Sequence, residues 1–232
     1  MSSLPPNACR LRVRYTKDGR LAYLGHLEVM NTVMRSVRRA GLPFEVGNGF
    51  ARRMRIQFSQ ALPVGASSRD EYYDLLLSEP IDAASALEDL VRATPKALAP
   101  VEAAILPRRL AALEAWADLS DWQVCIRSPR VSAVGFGDAL DRLLAVGSID
   151  YMRGERPRHL ELEGLIERCD ATDVDGGVDL ALRTRTTDHG SLRPAVLVRA
   201  AVGCDPLRVC RTMQCHAGAD GKCVRPMEQG VR

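Results

Sequence analysis

LRVRYTKDGRLAYLGHLEVMNTVMRSVRRAGLP, residues 11–43, is the stretch that decides the fold. Leu11, Val13 and Tyr15 alternate with Arg12 and Arg14, and a period of two marks a half-buried strand. Asp18-Gly19 is a turn signal, and LAYLG (21–25) reads as a second short strand. From Leu27 the period changes. Leu27, Met30, Val33, Met34 and Val37 recur at helical spacing and make one apolar stripe, with Arg35, Arg38 and Arg39 outside it. Gly41 and Pro43 end that helix.

Working outward, FEVGNG (44–49), RMRIQFS (53–59) and EYYDLLLS (71–78) read as strands, DAASALEDLVRAT (82–94) as a helix and KALAPVEAAIL (96–106) as a closing strand. The order then recurs. DWQVCIRS (121–128) is a strand and GFGDALDRLLAVG (135–147) a helix. IDYMRG (149–154), HLELEGLIERCD (159–170) and GGVDLALRTR (176–185) are strands. RPAVLVRAAVG (193–203) is a helix with Pro194 in its first turn, and DPLRVCRTMQ (205–214) a last strand. Each half approximates β-α-β-β-α-β with an extra hairpin strand, the split βαβ pattern. The expected class is therefore α+β, with two ferredoxin-like halves in tandem. Residues 1–105 form the first half, 106–120 a linker and 121–214 the second half. The aperiodic residues 215–232 form an expected disordered tail.

Composition bounds the functional classes. An apolar content of 46% supports a packed core, and no run long enough to span a membrane occurs. The N-terminal residues lack an apolar signal core, and seven cysteines at irregular spacing argue against a disulfide framework, so the expected location is cytoplasmic. The net charge of +3 hides an asymmetry. Residues 1–60 carry 11 Lys and Arg against 3 Asp and Glu, while residues 61–150 carry 8 against 14. A basic segment of this kind suits nucleic acid or another anion. It also fits a solvated arginine-rich face in a chain whose only lysines are Lys17, Lys96 and Lys222.

KDGRLAYLGHLEVMNTVMRSVRRAGLPFEVGNGF, followed by ALPVGASSRDEYYDLLL, resembles the radical-SAM-linked protein family. This is a bacterial domain encoded beside, or fused to, a B12-binding-domain radical SAM protein. The matching positions are Lys17, Gly19, His26, Leu27, Arg39 to Pro43, Gly49, Phe50, Leu62, Pro63, Gly65, Ser68, Glu71 and Tyr72, then Gly190, Arg193 and Pro194. The likeness runs from about Leu11 to Thr212. Where the family pattern has S-H-L-D this chain has Gly25-His26-Leu27-Glu28, and where it has G-F-N-P-H-P this chain has Gly49-Phe50-Ala51-Arg52-Arg53-Met54. The resemblance implies a radical SAM protein as partner. Any iron–sulfur cluster, S-adenosylmethionine or cobalamin is then expected on that partner, and no cofactor on this chain, which has no CxxxCxxC triplet.

His26 admits three readings: a contact to an anion at a helix start, a structural cap, or a general acid/base. Arg52, Arg53 and Arg55 read as one basic edge, with Phe50 available for base stacking. Arg39 and Arg193 join them as candidate substrate-binding residues. Glu71 and Asp74, three apart on a strand, face opposite sides and are poor partners for acid/base work. Cys204, Cys210, Cys215 and Cys223 with His216 lack the tight pairs of zinc and iron–sulfur motifs, so no metal site is expected. No catalytic triad or nucleophile elbow is present. The leading expectation is a non-catalytic accessory or substrate-recognition partner of a radical SAM enzyme, binding RNA or another anionic substrate. The alternatives are an enzyme using His26 as acid/base on a nucleic-acid or phosphorylated substrate, and a protein scaffold only.

Overall fold

A computed structural model describes residues 9–48, 52–188, 190–218 and 221–230. The fold is mixed α+β, and the chain divides into two compact units. One comprises Met1–Ala117 with Gln214–Arg232, the other Asp118–Met213.

The first unit opens with β1 (Arg10–Lys17), then α1 (His26–Arg39), β2 (Ile56–Phe58), β3 (Ser67–Leu76), α2 (Ala83–Ala93), β4 (Pro100–Leu106) and the single turn α3 (Leu113–Trp116). Its strands pair antiparallel in the order β4–β1–β3–β2. Leu11, Val13 and Tyr15 point to one face, where Tyr73 and Leu75 of β3 and Val29, Val33 and Val37 of α1 close the core. Gly41 sits at φ +68°, the left-handed conformation that lets the chain leave α1.

Sequence period and structure differ here, and the strand expected from Phe44 makes only the isolated bridges Phe44–Leu77 and Val46–Met54. Residues 19–23 form a 3-10 turn rather than a strand. Leu21 and Leu24, three apart, both pack on the core, a spacing that a strand would split between faces. Leu27 is 72% exposed, because the buried stripe of α1 begins at Val29.

The opposite face of β1 and β3 is charged and nevertheless buried. Arg12 has no exposed surface and Asp74 only 1%. Arg12 Nε and Nη2 donate to the two Asp74 carboxylate oxygens at 2.6 and 2.7 Å. Its Nη1 donates to the Pro226 carbonyl (2.6 Å) and to Gln229 Oε1 (2.8 Å). Arg10 also reaches Asp74 (2.8 Å) and the Arg108 carbonyl (2.8 Å). Nearby, Asp70 accepts from the Tyr72 hydroxyl (2.6 Å) and the Gln214 amide (2.7 Å). Burial and the Asp70 charge push the Tyr72 hydroxyl pKa up.

The tail expected to be disordered therefore folds over its described residues. After β11 (Arg208–Ala217), whose last four residues lie in this unit, come β12 (Cys223–Val224) and a 3-10 turn at Pro226–Glu228. Aperiodic sequence hid this, because the tail is held by acceptors for a buried guanidinium rather than by an apolar stripe. The expected linker is also built in: Leu113 of α3 is fully buried.

The second unit contains β5 (Leu119–Ile126), α4 (Ala133–Val146), β6 (Ser148–Arg153), β7 (Arg156–Glu161), β8 (Ile166–Val174), β9 (Gly177–Thr187), β10 (Gly190–Ser191), α5 (Pro194–Val202) and the first part of β11. Here β9 pairs antiparallel with β5 on one edge and with β8 and β10 on the other, and β11 lies beside β5. With the β6–β7 hairpin set apart, the order is β11–β5–β9–β8. The core gathers Val124, Ile126, Phe136, Leu180, Leu182, Leu197 and Val198. Gly177 is needed where it stands, since a Cβ there would lie 2.1 Å from the Ile126 carbonyl oxygen. On the hairpin, His159 is held between Asp150 (2.7 Å) and Glu161 (2.8 Å), and these two carboxylates raise its pKa.

Two outcomes follow from these contacts. Asp74→Ala strands two buried guanidinium groups and is expected to lower stability by about 3–5 kcal/mol in urea unfolding, the usual cost of removing one partner of a buried ion pair. In an NMR titration His159 is expected to titrate above its ordinary 6.5. Because the folded value is the higher one, its ion pairs stabilise the fold fully below about 6.5 and are lost as pH rises through the folded value. Asp150→Asn should move the midpoint back toward the ordinary value.

Candidate functional site

β1 carries Leu11, Val13, Tyr15 and Lys17 on its core-facing row, so an apolar series ends in an ammonium. Lys17 is only 2% exposed, and Glu71 on the adjacent β3 only 3%. Placing two charges at the margin of a core costs several kcal/mol per ion unless each is engaged. Both are: Lys17 Nζ donates to the Leu24 carbonyl at 2.8 Å, and Glu71 is not without an interaction partner.

These residues line a small cavity with Tyr15, His26, Val29, Ser59 and Leu62. Its volume is about 10 Å³, room for one water. Leu24, which caps the 3-10 turn, serves Lys17, while the first turn of α1 supplies His26. His26 is half-buried and stands edge-on to Phe58, with ring centroids 5.8 Å apart. Phe58 leans on Tyr73 (5.7 Å), and Tyr73 on Tyr15 (5.8 Å). An aromatic chain thus runs from the core to the histidine and fixes its ring. His26 is not the helix cap. Gly25 holds the cap position, and its amide donates to Glu28 at 2.7 Å.

The remaining sequence candidates do not gather around His26. Arg39 lies at the other end of α1, about 20 Å away at 1.5 Å per residue. It donates to the Ala93 carbonyl (2.6 Å) and so satisfies the last turn of α2. Arg52 and Arg53 are exposed. Arg55 pairs with Glu45 (3.3 Å), which also takes Arg108, and the two arginines hold the Glu45 pKa below the usual carboxylate range. Phe50 lies outside the described residues. Arg193 belongs to the second unit, at the cap position of α5. Much of the basic charge of residues 1–60 is spent inside the unit, since Arg10 and Arg12 serve Asp74 and Arg14 serves Glu102 (2.8 Å).

Sequence reading did not select Lys17, Glu71, Tyr15 or Ser59 as site residues. The signal was present for Lys17, because a strict period of two places it on the buried row. Among the described residues no three His, Cys, Asp or Glu gather as a metal site, and all seven cysteines are free thiols. No helix among them is long and apolar enough to cross a membrane.

Residues 10–194 match the model of a bacterial family described as "Uncharacterized protein conserved in bacteria (DUF2344)", and the chain belongs to that family. Among curated proteins none matches. Among solved structures, one similar chain is from a Cbf5-Nop10-Gar1 complex, at 9% identity and a TM-score of 0.45. The likeness covers 88% of this chain and 48% of that one, so this chain spans about half of its length.

The cavity separates two substitutions. Lys17→Met leaves the Leu24 carbonyl without its donor and is expected to cost about 1–3 kcal/mol in urea unfolding. His26→Ala loses the edge-on contact with Phe58 and is expected to cost less, about 0.5–1.5 kcal/mol.

Proposed function

We propose that this protein is a non-catalytic recognition partner of a radical SAM enzyme and binds RNA or another anionic substrate. In this reading each unit is a ferredoxin-like split βαβ, supported by the shared strand orders β4–β1–β3–β2 and β11–β5–β9–β8. The partner carries the iron–sulfur cluster, S-adenosylmethionine and any cobalamin. The observation that carries anion binding is a division among the arginines of the first unit. Arg10, Arg12, Arg14 and Arg55 are joined to carboxylates, whereas Arg35, Arg38, Arg39, Arg52 and Arg53 are exposed and make no ion pair with the described residues. Exposed guanidinium groups without local counter-charge are suited to phosphates.

A second reading rests on the cavity. His26 shares it with buried Lys17 and Glu71, which is the company that a general acid/base keeps. His26→Ala separates the two readings, since loss of turnover with intact binding favours an enzyme and loss of binding favours recognition.

Filter binding of RNA at two salt concentrations tests the proposal. Affinity is expected to fall steeply as salt rises. Co-expression with a radical SAM protein encoded nearby is expected to give a complex that survives purification. An absence of salt-sensitive RNA binding, both alone and with that protein, removes RNA as the ligand.

A further inference from the structure

The β6–β7 hairpin sorts its charges by face. Its register pairs Ile149 with Leu160, Tyr151 with Arg158, and Arg153 with Arg156, and alternation puts these six side chains on one face. Ile149 and Leu160 are buried at its base, and Tyr151 is half-buried above them. Arg153, Arg156 and Arg158 are exposed. The other face holds Asp150, His159 and Glu161, whose charges satisfy one another. Glu155 sits in the connecting turn and makes no ion pair with these arginines.

A fourth arginine joins the basic face. Gly190, just before α5, lies against Leu160, with 3.5 Å from its Cβ position to the Leu160 side chain. This brings Arg193, at the start of α5, beside the hairpin. Burial and the neighbouring Arg153 charge hold the Arg193 guanidinium below its ordinary range. None of the four arginines makes an ion pair with the described residues, although like charges directly opposite in a ladder destabilise it. Arg156 and Arg158, two residues apart on one strand, stand about 7 Å apart, which suits a row of anions better than a single one.

We propose that Arg153, Arg156, Arg158 and Arg193, with Tyr151 beneath them, bind successive phosphates of a single-stranded RNA. This rests on the RNA reading above and adds to it a contact surface on the second unit. The α5 amino terminus, which favours negative charge, adds to the same field.

The test uses the full chain and a labelled mixed-sequence single-stranded RNA oligonucleotide, with affinity measured over a salt series. Replacing Arg153, Arg156 and Arg158 by Gln is expected to weaken binding at least about tenfold at moderate salt and to lower the salt slope by about 2, three contacts at roughly 0.7 each. Met152→Gln, on the opposite face, is expected to leave both unchanged. The melting temperature of the triple variant should equal or exceed that of the wild type, since like charges have been removed. A lower melting temperature would make the arginines structural and overturn the proposal. Wild-type affinity and slope in the triple variant would overturn this surface while RNA binding itself stands. No RNA binding by the wild type, alone or with its partner, would overturn both.

Discussion

The buried Arg12–Asp74 pair sets the terms for the first unit. A guanidinium with no exposed surface has five donors to satisfy, and one carboxylate cannot take them all. Two go to Asp74, and two more go to the Pro226 carbonyl and the Gln229 side chain. The C-terminal residues are therefore required where they lie, and they belong to the same compact unit as β1. Such a pair adds little net stability, because desolvation consumes most of its attraction. What it adds is a fixed place for the tail, since the Pro226 carbonyl and the Gln229 side chain accept from Arg12 Nη1. Pro226 and Gln229 fall outside the span matched by the family model, yet they complete a residue inside it.

Residues 11–43 made one face of β1 and the body of α1 legible. Alternation named Leu11, Val13 and Tyr15, and helical spacing named Val33 and Val37; all five are buried. Alternation cannot report what covers the other face. Arg12 and Arg14 look alike in sequence, but Arg12 is sealed beneath the tail while Arg14 is partly exposed beside Glu102. The same limit applies to charge counting. A count over residues 1–60 treats Arg10 and Arg52 as equals, whereas one is bonded inside the fold to Asp74, which lies outside the counted segment. Residues singled out by charge are therefore scattered through the fold, whereas period alone places Lys17 on the buried row.

The cavity shows why period is the better guide. A core-facing row that passes from Leu11 through Val13 and Tyr15 to Lys17 breaks the rule of its own face at the last place. Such a break needs a compensating arrangement, and here it has three parts: the Leu24 carbonyl at the end of the 3-10 turn, Glu71 on the neighbouring strand, and a histidine fixed by an aromatic chain. Plain core packing would have used leucine at that position at lower cost in desolvation.

Arginine thus has two physical roles in this protein, distinguished by the position of the carboxylates. In β1 and β3 the acids are brought to the same face as the arginines, and burial follows. In the β6–β7 hairpin the acids are sent to the opposite face, where they hold His159, and the arginines stay exposed against one another. Alternating charges along the two strands could have neutralised this hairpin by cross-strand pairing. The register does the reverse, with Arg153 opposite Arg156. Repulsion that a simple exchange of residues would remove is a reason to look for the anion that offsets it.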